Sequence, residues 1–250
     1  MPDVLDVPEE ETSVGTDEPE VEVASDTPAT ISNPASSPAS NPPPSPASAV
    51  ASTTAPVRKR PKPGERRVQI LQTLASMLEQ PGADRITTAA LAAKLAVSEA
   101  ALYRHFASKA QMFEGLIEFI ESSVFTLVNQ ITERETSGAV QAQKVVTVLL
   151  QFGEKNPGMT RVMVGDALVF EHERLSLRMN QFFDRVESQL RGSLRAAAET
   201  AGSPTPTVDA QALASALTSL AIGRLQRYAR SGFKRLPTEH LETALHRLTT

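Results

Sequence analysis

The chain has 250 residues and a formal net charge of −4, but its composition changes so sharply near residue 57 that the two stretches have separate physics. Residues 1–57 hold 10 of the 29 acidic side chains, 11 of the 18 prolines and no Lys or Arg, so residues 58–250 set all 25 basic groups against 19 acids, a balance of +6 that permits a polyanionic partner. Cysteine is absent, which excludes disulfides, thiolate catalysis and Cys-ligated zinc, and with no apolar run near about 18 residues and no basic-then-apolar leader, neither a membrane span nor a secreted chain is expected.

In chain order, residues 1–57 are expected to form a disordered acidic and Pro/Ala/Ser-rich tail, because they hold too little apolar surface to offset the entropy of ordering them. Arg58-Lys-Arg-Pro-Lys-Pro-Gly-Glu-Arg-Arg67 follows, with six basic residues in ten. It reads as a basic arm over 58–67 that tracks a phosphate backbone or enters a minor groove, the alternative being a solvated linker. An acidic tail joined to such an arm has the charge to compete with DNA for it.

Residues 66–79 repeat apolar side chains at Leu71, Leu74, Ala75 and Leu78, the spacing of a first helix that Pro81-Gly82 stops. Two short helices are predicted over 88–95 and 98–105, with Leu91, Leu95, Val97, Leu102 and Phe106 as their core contacts. Ser108-x-x-Gln111 is a capping box opening a long helix to about Glu133, whose stripe is Met112, Leu116, Ile120, Val124, Leu127/Val128 and Ile131.

Residues 139–155 are apolar nearly all round, which predicts a helix in the middle of a bundle, and Asn156-Pro157 supplies an N-cap and first position for the next one. A long amphipathic helix follows, with Leu175, Met179, Phe182, Val186, Leu190 and Leu194 on one face. A helix over 208–231 is rich in small residues, suiting either a symmetry mate or a tightly packed neighbour in the same chain, and Pro237-Thr238 opens a final short one. With no sustained two-residue alternation, the fold class is all-α with about nine helices, an N-terminal three-helix unit at 65–110 followed by a helical bundle over 111–250.

The two short helices are joined by a link that allows only a tight angular turn. Thr87 and Thr88 lie at the first helix's N-terminus, where hydroxyls and free N–H groups can hold a phosphate. Val97 plugs the angle and Ser98 caps the second helix, which presents Ser98, Glu99, Ala100, Tyr103 and Arg104 as a major-groove reader would. Tyr103, His105 and Lys109 are placed for phosphates, as are Arg66 and Arg67 from the arm, the alternatives being a surface or capping histidine and an ordinary solvated lysine.

Leu95-Ala-Val-Ser-x-x-x-Leu-Tyr-x-His-Phe-x-Ser-Lys109 resembles the signature of the TetR-type repressors. Ala96 departs from it, standing where that family usually has Gly; a left-handed backbone there would cost alanine roughly 1 kcal/mol. Further on, Phe113-x-x-Leu-Ile-Glu-Phe-Ile-Glu121, Phe152-Gly-Glu-Lys-Asn-Pro-Gly-Met-Thr-Arg161, Ala167-Leu-x-Phe-Glu171, Arg174-Leu175 and Arg230-Ser-x-Phe-Lys-x-x-Pro-Thr238 resemble the nucleoid occlusion factors within that class.

The resemblance implies that 65–110 is a TetR-like helix-turn-helix DNA-binding domain and 111–250 a dimerisation and partner-binding domain, in a homodimer that binds palindromic sites on double-stranded DNA, sometimes with more than one dimer per site, and is nucleoid-associated in the cytoplasm. When DNA-bound it antagonises assembly of the tubulin-like division protein FtsZ. Carried over by position, the FtsZ-facing residues are Phe119, Lys155 and Asn156; Leu127 and Gln151 depart from the arginine and glycine expected nearby. Phe119 could equally be core, and Asn156 a helix cap. The alternative function is a ligand-responsive repressor on the same fold, although few aromatic or convergent polar groups are available for a pocket.

No enzyme is expected, and no cofactor. The four histidines lack the i, i+4 spacing of a metal pair, Glu171-His172-Glu173 on a helix would point its members apart, and no Gly-rich phosphate loop or nucleophile elbow occurs.

Overall fold

The computed structural model describes residues 64–80 and 85–249. The expected acidic tail, most of the basic arm and Pro81-Gly82 lie outside them. Among the described residues every regular element is helical, in nine α-helices and one 3₁₀ turn.

Helix α1 (Glu65–Leu78) buries Ile70, Leu74, Ala75 and Leu78, an apolar stripe along one face. The next two helices, α2 (Thr88–Lys94) and α3 (Glu99–Tyr103), are short, and each is started by a hydroxyl. Thr87 Oγ1 accepts from the Ala90 N–H at 3.1 Å, and Ser98 Oγ accepts from the Ala101 N–H at 3.3 Å. Between them the Val97 N–H donates to the Ala92 carbonyl at 3.0 Å, which requires the left-handed conformation that Ala96 adopts at φ 53°. Ile86, Leu91, Leu95, Leu102 and Phe106 are buried together with the α1 stripe, and half-buried Val97 packs against them.

The long helix α4 (Lys109–Arg134) leaves this small domain and enters the bundle. Ser108 Oγ accepts from the Gln111 N–H at 3.2 Å, but Gln111 Oε1 accepts from the Ala107 N–H at 2.9 Å, one residue before the partner a capping box predicts. Of the pair Leu127 and Val128, only Val128 is buried.

Helix α5 (Gly138–Lys155) does occupy the bundle's centre, burying Ala142, Val145, Val146, Leu149, Leu150 and Phe152 while Lys144, Gln151 and Lys155 stay exposed. Pro157 opens α6 (Pro157–Met163) at its first position. The expected side-chain N-cap from Asn156 is corrected: Asn156 Nδ2 donates to the Phe152 carbonyl at 2.7 Å, closing the end of α5 instead. Its backbone, at φ −132° and ψ 70°, turns the amide toward an orphan carbonyl of the helix just ended.

A 3₁₀ turn at Asp166–Leu168 leads to α7 (Glu173–Thr200), capped by His172, whose Nδ1 accepts from the Arg174 N–H at 3.3 Å. Thus of Glu171, His172 and Glu173 only Glu173 is helical, a second correction. A turn at Gly202, φ 72°, joins α7 to α8 (Pro206–Arg230). The final helix α9 (Leu241–Thr249) starts later than Pro237-Thr238 suggests: residues 237–240 form a turn, with the Thr238 hydroxyl donating to the Glu154 carboxylate, so a tie to α5 overrides the proline signal.

Helices α7 and α8 make the most extensive pair, and α5 packs against both and against α4 and α9. Two glycines permit close approach. A Cβ on Gly138 would lie 2.0 Å from the Ser193 carbonyl oxygen of α7, and one on Gly158 2.0 Å from the Ala75 carbonyl oxygen of α1, so α6 is seated directly on α1 of the N-terminal domain. Three ion pairs then join α4 to α7 and the segment before it: Lys109–Glu171, Glu114–Arg174 at 2.8 Å and Glu121–Arg178 at 2.7 Å. Ala210, Ala214 and Ala221 of α8 are buried within the chain, whereas Val208, Ala212, Ser215, Ala216 and Ser219 form an exposed uncharged face.

Candidate functional site

The outer face of α3 carries Ser98, Glu99, Ala100, Tyr103 and Arg104, all exposed, with Leu102 alone of this helix buried beneath. Leu102 and Phe106 therefore set the rotation of α3 and turn the five expected readers outward. Two of them already have partners. Ser98 caps its own helix, and the Glu99 carboxylate accepts from the Thr88 hydroxyl across the turn at 2.5 Å. Thr87, at the start of α2, is likewise engaged as its cap while remaining exposed.

The cations expected to hold phosphates fall into two groups. Arg104 and His105 are exposed at the end of α3, and Arg66 is half-exposed, donating to Gln69 at 2.8 Å. Arg67 and Lys109 are committed elsewhere. The Arg67 guanidinium lies 4.2 Å from the Phe106 ring centroid and donates to the His105 carbonyl at 3.1 Å, stapling α1 to the end of α3. Lys109 pairs with Glu171 and lies 5.7 Å from the Phe113 ring, so a phosphate must compete with a carboxylate for it. Neither partner was legible, because Arg67 and His105 are 38 positions apart and Lys109 and Glu171 are 62 apart.

On the bundle, Phe119 is 47% exposed, which decides against a core role. Its ring packs 6.4 Å from that of Phe152, and Asn156 donates to the Phe152 carbonyl. Phe152, unremarked as a site residue, thereby gathers Phe119 of α4 and Asn156 at the end of α5 onto one surface, beside exposed Lys155. Gln151 and Leu127 are exposed as well. Tyr228 of α8 braces this end of α5, its phenol donating to the Glu154 carbonyl at 3.0 Å; burial pushes its pKa above the ordinary value, with Glu154 and Glu79 adding to the effect, so it remains a donor.

A groove of about 440 Å³ runs between α4, α5 and α9, lined in part by Ile131, Val140, Val148, Leu241 and Leu245. Among the described residues no group of three or more His, Asp or Glu side chains is arranged to hold a metal ion, and no helix is long and apolar enough to cross a membrane.

Comparison with known proteins accords with this geometry. Residues 70–116 match the family described as bacterial regulatory proteins, tetR family, and residues 136–250 match a tetracyclin repressor-like C-terminal domain of SlmA-like type. Nucleoid occlusion factor SlmA of Idiomarina loihiensis is 52% identical over 175 residues, covering 70% of this chain and 89% of that relative. SlmA of Photobacterium profundum is 52% identical over 182 residues, 72% and 92% of the two chains, and that of Vibrio cholerae is 51% identical over 178 residues, 71% and 90%.

Two solved structures share the fold at low identity: FadR of Bacillus subtilis in complex with stearoyl-CoA (TM-score 0.59, 13% identity, 73% of this chain and 97% of that one) and PfmR of Thermus thermophilus (TM-score 0.56, 19% identity, 72% and 97%). An exposed reading helix on a TetR-type domain, together with relatives half identical over nearly their whole length, places the chain in the SlmA family of nucleoid occlusion factors, DNA-binding regulators rather than enzymes.

Proposed function

We propose that the chain acts as a homodimer on palindromic chromosomal sites and, while DNA-bound, antagonises assembly of FtsZ, keeping septa from forming over the nucleoid in the cytoplasm. The observation that carries this reading is the course of α4. It begins at Lys109, directly after the reading helix and its Phe106 anchor, and presents half-exposed Phe119 roughly 15 Å further along the same rod at 1.5 Å per residue. One rigid element thus joins the DNA surface to the candidate FtsZ surface.

In this mechanism Ser98, Glu99, Ala100, Tyr103 and Arg104 face base edges, and Thr87, Thr88, His105, Lys109, Arg66 and Arg67 hold the backbone. Arg67 and Lys109 do so by exchanging their present partners for phosphates, and release of Lys109 from Glu171 would loosen α4 from the segment leading into α7. Phe119, Lys155 and Asn156 contact FtsZ. The uncharged face of α8 around Ala212 and Ala216 meets its symmetry mate. DNA is the effector, and it can raise FtsZ affinity only by preferring one of two dimer states.

The test measures FtsZ affinity with a specific duplex, with scrambled duplex and without DNA. Couplings of this type give a tightening on the order of 5–150-fold with the specific duplex alone. Equal affinities in all three arms would remove the coupling.

A further inference from the structure

Glu99 is the one acid among the five exposed residues on the outer face of α3, and on DNA it must sit between two rows of phosphates. Its place in the first turn suits the helix dipole, which accounts for the presence of an acid there. A dipole needs no hydrogen bond to act. Yet the Thr88 hydroxyl, at the first position of α2, donates to Glu99 Oε2 at 2.5 Å, a tie across the turn between residues 11 apart.

Both ends of this tie are held. Thr88 follows the capping Thr87 on a helix that buries Leu91 and Ala92, and Glu99 follows the capping Ser98 on a helix that buries Leu102. An exposed glutamate otherwise samples many rotamers, and fixing it before DNA arrives removes that ordering cost from the complex. Among the described residues Oε1 has no hydrogen-bond partner, and no Lys or Arg pairs with this carboxylate. The group is anchored by one oxygen and presents the other.

What can meet that oxygen follows from its chemistry. An ionised carboxylate only accepts hydrogen bonds. On the major-groove edge guanine offers two acceptors, N7 and O6, and thymine offers O4 and a methyl group. Adenine sets its N7 acceptor beside its amino group, whereas cytosine presents an amino group with no acceptor of its own. Burying a charge against acceptors is costly, so the group that favours cytosine also rejects the alternatives.

Resting on the reading above that α3 lies in the major groove, we infer that Glu99 determines specificity at one base pair of each half-site, its Oε1 accepting from the N4 amino group of a cytosine. Thr88 is the positioning residue that aims it. Thr88 spends its hydroxyl proton on Glu99, so its contact with the DNA backbone falls to its main-chain N–H. Dimer symmetry places a second such cytosine in the other half-site.

The test selects duplexes from a randomised pool with the full chain, then measures binding to the selected duplex carrying symmetric single-pair replacements. Wild type is expected to fix a cytosine at one pair of symmetry-related positions, where thymine or guanine weakens binding roughly tenfold or more. Glu99→Ala levels the four bases at those positions and leaves the preferences elsewhere in place. Glu99→Gln, isosteric and able both to donate and to accept, admits thymine or guanine there. Thr88→Val lowers the preference for that cytosine although the carboxylate is still present, and Thr88→Ser restores it, a pattern that a purely helix-stabilising Glu99 does not produce.

Unchanged preferences in Glu99→Ala, a levelled position that holds a base other than cytosine in the wild-type site, or full discrimination in Thr88→Val would each overturn the inference while leaving α3 as the reader. Where Glu99→Ala binds no duplex at all, Glu99→Gln and Thr88→Val decide in the same terms. A wild-type chain that selects no duplex would instead overturn the reading on which the inference rests.

Discussion

The DNA-reading domain and the bundle surface around Phe119 are built in opposite ways. In the former, each short helix is started by its own hydroxyl, Thr87 or Ser98, and the backbone hydrogen bonds that close the turn span five residues or fewer. Around Phe119 the geometry depends on contacts between distant segments: a ring on α4 against a ring on α5, an asparagine closing α5, and a tyrosine of α8 on the Glu154 carbonyl. A surface of the first kind is specified locally and tolerates change elsewhere. One of the second kind moves whenever the helices shift, as the proposed coupling to DNA requires.

Four substitutions sharpen this contrast, from the largest expected effect on folding to the smallest. Leu102→Ala removes a side chain only 1% exposed at the centre of the small domain, and should cost about 2–5 kcal/mol. A lowered thermal midpoint together with lost specific DNA binding, by fluorescence anisotropy, is the expected pair; retained specific binding would contradict the role given to the core in aiming α3.

Gly158→Ala forces a methyl against the Ala75 carbonyl where α6 sits on α1, and overpacking of this type costs about 1–3 kcal/mol. Here the expected outcome is a weaker influence of DNA on FtsZ affinity, with specific DNA binding itself retained. An unchanged DNA-dependence would show that the α1–α6 seat carries none of the coupling.

Ala96→Gly acts in the opposite direction. Glycine accepts φ 53° without a Cβ penalty, so stability should rise by about 1 kcal/mol, read from the denaturant midpoint. A fall would mean that the greater freedom of glycine in the unfolded chain outweighs the relieved strain.

Phe119→Ala should change stability least, by under about 1 kcal/mol, because the ring is already half in water. DNA affinity should stay the same while binding to FtsZ falls. Loss of both activities together would return Phe119 to a structural role.

Much of the reading domain was legible because its determinants are short-range. Ser98 and Ser108 are caps recognisable from spacing alone, Thr87 was placed at the start of α2 as a phosphate contact rather than as its cap, and Ala96 was marked by the resemblance, standing where the TetR-type turn usually has glycine. Asn156 was misread because an asparagine between two helices can serve either one, and only the backbone direction determines which. The start of α9 was misplaced for a related reason, since a proline signals a helix but the tie from Thr238 to Glu154 outweighs it.

By itself the sequence determined the all-α class, the helix order, the caps at Ser98 and Ser108 and most of the apolar stripe of each long helix, because periodicity and capping are properties of neighbours in the chain. Tertiary structure alone decided that Phe119 faces water and that Arg67 and Lys109 have partners. Those outcomes depend on how helices are rotated and seated against one another, which close contacts such as Gly158 on Ala75 set and no local pattern encodes.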